Sequence, residues 1–84
     1  MQTTATIAKL DEGLPTYSIV AETNYGDAYI VQQAIQAEFS EDEFPGLIYD
    51  SEGSCFYAFT PDRYLAEDIF TALVNELDKL GYQA

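Results

Sequence analysis

The stretch from Pro61 to Gly81 limits the possible folds of this chain more than any other. Within it Ala66, Ile69, Phe70, Leu73, Leu77 and Leu80 recur at spacings of three and four. At about 100° per residue that places them on one face of a helix. Thr60 suits the N-cap, Pro61 the first helical position and Gly81 the residue just past the end. Asp62 in the first turn and Lys79 in the last complement the helix dipole. A helix of about five turns with so broad an apolar face must be covered. The chain has 84 residues to do it, enough for one core and one domain spanning 1–84.

The covering elements read as strands and a second helix. Thr4–Leu10 holds β-branched residues and is expected as a first strand, with Asp11-Glu12-Gly13 as a turn and Pro15 restricting re-entry. Thr16–Glu22 alternates, with Tyr17, Ile19 and Ala21 on one side and Ser18, Val20 and Glu22 on the other. Asn24-Tyr25-Gly26 breaks the chain and Asp27 is the expected N-cap of a helix. Its inward face is Ala28, Val31, Ala34, Ile35 and Phe39; Tyr29, Gln32, Gln33 and Gln36 face outward. Leu47–Tyr49 and Ser54–Phe59 flank Asp50-Ser-Glu-Gly53 as a β-hairpin. Its second arm is apolar on both faces, the pattern of a central strand. The order is ββαββα. It predicts an α+β fold: one two-layer domain, an antiparallel sheet with both helices on one face. The opening ββα resembles the start of a β-grasp domain. The chain departs from that pattern by ending in a long helix with neither a final strand nor a Gly-Gly tail, so no function carries over.

Composition narrows the chemistry. The chain is 48% hydrophobic and 14% aromatic, rich enough for a packed core. Cys55 is the single cysteine and there is no histidine, so the commonest metal ligand and the commonest general base are both missing. A lone mid-strand cysteine without basic neighbours is expected as a small apolar core residue, not a nucleophile. The acidic loops lack the spacing of an EF-hand. No catalytic residue, cofactor or metal is expected, and an enzyme is not. No apolar run approaches the roughly 20 residues of a membrane span, and Met1-Gln-Thr-Thr-Ala lacks signal-peptide character. The expected location is the cytoplasm.

The most informative feature is where the charge lies. Fifteen Asp and Glu face only Lys9, Arg63 and Lys79, a net charge of −12. Nucleic acid and anionic membranes repel such a chain; basic protein surfaces attract it. The outer face of the first helix carries Gln where Glu would serve helix propensity as well. By contrast Tyr64, Glu67, Asp68, Thr71, Asn75 and Asp78 share roughly 100° of arc on the last helix. The connections add Glu38, Glu41, Asp42, Glu43, Asp50 and Glu52. Carboxylates three or four residues apart stand about 5–6 Å from each other, close to the phosphate spacing of a nucleic-acid strand. They present Arg and Lys with acceptors of the right charge. Glu41, Asp42, Glu43, Asp50, Glu52, Tyr64, Glu67, Asp68 and Asp78 are the expected partner contacts. In size, charge and class the chain resembles the small acidic α+β inhibitors of bacteriophages and mobile elements, among them anti-CRISPR, anti-restriction and repair-enzyme inhibitors. That resemblance implies a DNA mimic occupying the basic groove of a nucleic-acid-binding protein. The alternative is a small regulatory or subunit-interaction module that binds a partner through mixed polar and apolar surface.

Overall fold

The computed structural model describes residues 8–13 and 16–82. Six elements follow in order: β1 (Ala8–Gly13), β2 (Thr16–Glu22), α1 (Asp27–Glu38), β3 (Ile48–Tyr49), β4 (Cys55–Thr60) and α2 (Arg63–Lys79). The strands form one antiparallel sheet in the order β1-β2-β4-β3, so the strand that is apolar on both faces is indeed internal. In β2 and β4 the strand alternation decides what is buried. Ile19 and Ala21 sit opposite Ala58 and Phe56, and all four are buried on the face that carries both helices. Against them pack Ala28, Val31 and Ile35 of α1 and Leu65, Ala66, Ile69, Leu73 and Leu77 of α2. The α+β architecture with two helices on one face of an antiparallel sheet therefore stands.

Element boundaries differ from expectation at the end of β1 and at the starts of both helices. Thr4–Leu10 was the expected first strand, and residues 4–7 lie outside the described residues. Asp11-Glu12-Gly13 is not a turn but strand: Asp11 pairs with Ser18, Glu12 with Tyr17 and Gly13 with Thr16. Acidic turn-formers yield here because the ladder of a seven-residue partner strand satisfies their backbone. Asp27 is the first helical residue rather than the cap; Gly26 takes the cap position with φ 91° and donates its N–H to the Gly53 carbonyl at 2.9 Å. Thr60 is buried at the end of β4, and Asp62 caps α2 instead, accepting from the Tyr64 and Leu65 N–H groups at 2.9 and 3.2 Å. The Thr60 hydroxyl oxygen accepts the Asp62 N–H at 3.1 Å, so this buried polar group is satisfied.

Two glycines hold the elements together. Gly46 has φ 86°, and a Cβ there would lie 3.0 Å from the ring of Pro61, so a side chain would strain the backbone and push on that ring. Gly81, with φ 91°, ends α2: its N–H donates to the Asp78 carbonyl and that of Tyr82 to the Leu77 carbonyl, at 3.0 and 2.9 Å. This is a Schellman motif, and it swings Tyr82 into the core. Leu80, read as a core residue, is the C-cap and is 38% exposed; Ala34, at the margin of the α1 stripe, is also exposed. Cys55 lies half-buried on the helix-free side of the sheet, not in the core, because alternation along β4 gives the core side to Phe56 and Ala58.

Candidate partner-binding surface

The capped start and Schellman end of α2 hold 17 residues in register and fix the backbone spacing of its polar face. Tyr64, Glu67, Asp68, Thr71, Asn75 and Asp78 are all exposed, Tyr64 to 78%. They recur every three or four residues, and Asp68 and Asp78 are separated by about 15 Å along the axis. Among them Glu67 pairs with Arg63 at 3.4 Å, and Glu76 on the flank pairs with Lys79 at 3.0 Å. These pairs are largely exposed and add little stability, yet they offset two of the helix's negative charges.

Between this face and the C-terminal end of α1 runs an open groove of about 730 Å³. Glu38 and Phe39 form one wall; Asp68, Ala72, Glu76 and Asp78 stand on the other. The fold thus brings Asp68 and Asp78, both expected contacts, together with Glu38 and Glu76, which were not. The approach of α1's last turn to α2 creates this grouping, and no periodicity within either helix reports it. Glu76 was missed because its position on the helical wheel sits near the core stripe.

The connection after α1 is a compact acidic turn. Ser40 accepts the Asp42 N–H on its hydroxyl at 3.1 Å and the Glu43 N–H on its carbonyl at 3.1 Å. Phe44 packs on Phe39, ring centroids 6.0 Å apart, which leaves Glu41, Asp42 and Glu43 turned to solvent. Asp50 and Glu52 are also exposed, but on the β3–β4 turn beside the other flank of α1. There the Gly53 N–H donates to the Tyr29 hydroxyl at 3.0 Å.

The uncharged outer face of α1 has a structural explanation that the sequence did not disclose. The Ser51 N–H donates to Gln32 Oε1 at 3.3 Å, Gln32 Nε2 to Gln36 Oε1 at 3.3 Å, and Gln36 Nε2 to Glu41 Oε1 at 3.0 Å. This amide chain ties the hairpin turn to the acidic connection, and each central member must both donate and accept. Glutamate cannot donate, which is a reason for Gln at 32 and 36 independent of any partner. Beside this chain the Tyr49 hydroxyl donates to the Phe39 carbonyl at 2.8 Å. Burial, then the nearby Glu41 carboxylate, raise its ionisation well above that of free tyrosine.

Among the described residues no cluster of three or more Asp, Glu or Cys is arranged to hold a metal ion. No helix there is long and apolar enough to cross a membrane. No protein family, curated protein or solved structure matches this chain.

Proposed function

We propose that this chain is a non-enzymatic acidic binding protein that mimics nucleic-acid charge and occupies the basic groove of a nucleic-acid-binding protein, as cytoplasmic phage-type inhibitors do. The convergence of Glu38, Asp68, Glu76 and Asp78 on one groove, with Lys79 the single cation among its described lining residues, is the observation that carries the reading. The capped helix α2 already fixes the backbone of Asp68, Glu76 and Asp78, so only side-chain rotamers remain to be ordered when Arg and Lys of a partner engage them. Glu41, Asp42 and Glu43 extend the negative field from the end of α1, and the exposed ring of Tyr64 offers an aromatic anchor at the other end.

The test is recovery of the partner from the native host followed by competition with duplex DNA. A basic nucleic-acid-binding protein that DNA displaces supports mimicry. A partner indifferent to DNA and to salt overturns it and marks the chain as a subunit-interaction module. Substituting Asp68 and Asp78 by Lys is expected to slow association at least tenfold at low salt, since steering charges act mainly on the on-rate. The same change at Glu67, already paired with Arg63, is expected to do less.

A further inference from the structure

The sheet has a second face, and neither helix lies on it. From β4 it carries Cys55, Tyr57 and Phe59; from β2, Ser18, Val20 and Glu22; from β3, Ile48. Register makes a compact apolar patch of these residues: Val20 stands opposite Tyr57, and Ile48 opposite Phe59. The Tyr57 and Phe59 rings are parallel within 3°, centroids 6.3 Å apart, and Ile48 is 54% exposed. A strand apolar on both faces is the pattern of one covered on both sides, whereas the helices cover β4 on one side only. At one margin of the patch Glu22 pairs with Cys55, and Glu52 bridges to the same residue. With Cys55 foremost, these groups hold the Tyr57 hydroxyl above the ordinary tyrosine range, a sign that their fields reach the ring.

We propose that this face docks an amphipathic helix of a partner protein, one with Lys or Arg beside its apolar stripe. The dimensions and the charge both argue for that occupant. With strands about 4.8 Å apart and same-face residues about 6.8 Å apart, the patch from Ile48 to Val20 measures roughly 12 Å. Anchors at i, i+3 or i+4, and i+7 of a helix cover about 10.5 Å. A third layer of this kind is how a two-layer sheet buries its free face. The carboxylates at the margin select a helix with cationic flanks, the apolar centre and charged rim of an ordinary interface. A second copy of this chain fits poorly, because it would bring two chains of net charge −12 together. Stacked nucleic-acid bases meet the same repulsion. The inference needs neither the acidic groove nor phosphate mimicry, so either proposal can fail alone.

The probes are a synthetic Leu/Lys amphipathic helix of about four turns and its Leu/Glu counterpart, titrated into the isotope-labelled protein and followed by amide and methyl NMR. Saturable shifts at Val20, Ile48, Tyr57 and Phe59 with the Leu/Lys peptide alone are the expected result. Phe59→Thr, which keeps strand propensity, and Ile48→Lys, at an exposed edge, should each weaken binding about tenfold, the loss of an anchor. Asp68→Lys with Asp78→Lys should leave that affinity unchanged. Retained core methyl dispersion at Ile19 and Leu73 identifies folded variants, and Ile48→Lys carries the test if Phe59→Thr unfolds. Shifts confined to Glu38, Asp68 and Asp78, equal binding of the Leu/Glu peptide, or no saturation would overturn the proposal. So would a concentration-dependent dimer, seen by sedimentation, that broadens the same residues.

Discussion

Tyr82 shows how much one side chain can organise here. Its hydroxyl donates to the Asp27 carboxylate at 2.5 Å and accepts the Asn24 N–H at 2.7 Å, joining the end of α2 to the start of α1 across 55 residues. The ring is buried while Asp27 is half-buried and Asn24 exposed, so Tyr82→Phe removes two hydrogen bonds that water replaces only in part. The expected cost is about 1–3 kcal/mol, read as a lower midpoint of urea unfolding with an unchanged slope. An unchanged midpoint would mean that the link is idle. The same residue sets an alkaline limit. Burial first, then the hydrogen bond to Asp27, raise its ionisation, and burial and Glu41 do the same to Tyr49. A raised folded value means that the folded state keeps protons the unfolded chain gives up. The stabilisation is complete below the unfolded value of about 10 and is lost as the pH climbs from there toward the folded value. Phenolate absorbance should therefore rise in two phases, the later one coinciding with loss of helix signal. A single phase ahead of unfolding would sink the argument. None of this is legible in the sequence: Tyr82 stands outside the helical period, and nothing near Asp27 in the chain points to a partner 55 residues away.

At the level of elements, the parts governed by local pattern were readable and the parts governed by distant partners were not. The apolar stripe of α2 and the alternation of β2 and β4 depend on spacing alone, and Ile19, Ala21, Phe56, Ile69 and Leu73 are buried as that spacing implies. Asp11 and Glu12, good turn residues in isolation, became strand once β2 lay alongside. Thr60 lost the cap of α2 to Asp62 because its side chain is enclosed at the end of β4. The Gln face of α1 is the most instructive case. Glu would serve helix propensity there as well, yet Gln32 and Gln36 are relays between segments 19 and 5 residues away. That distinction can be tested. Gln36→Glu sets a carboxylate against Glu41 and removes the donor, so it should cost about 1 kcal/mol or more, and more at low salt than at high. Gln33→Glu, on the exposed side of the same helix, should be nearly neutral. If thermal melts show equal effects for the two, the amide chain is incidental and does not account for the Gln face.

For the whole molecule, the net charge of −12 acts on stability and on recognition with opposite signs under salt. Repulsion among the carboxylates opposes the folded state, and the Debye length falls from about 30 Å at 0.01 M to about 3 Å at 1 M, so added salt should raise Tm. Association with a basic partner runs the other way, because salt screens the attraction that steers the encounter. A coating that serves only solubility predicts the first trend without the second, and an adaptation to brine predicts unfolding in dilute buffer. The core argues against the last outcome: among the described residues, fourteen hydrophobic side chains are buried in one cluster and no buried side-chain polar atom lacks a partner. The expected outcome is a chain folded in dilute buffer whose Tm rises by several degrees between about 0.01 and 0.5 M salt, while its partner affinity falls over the same range. Placing Lys at Asp68 and Asp78 should flatten both curves, removing repulsion from the groove and attraction from the interface together. If the substitutions flatten the stability curve and leave binding as salt-sensitive as before, the charge that matters for recognition lies elsewhere, and the acidic turns at 41–43 and 50–52 become the next surfaces to reverse.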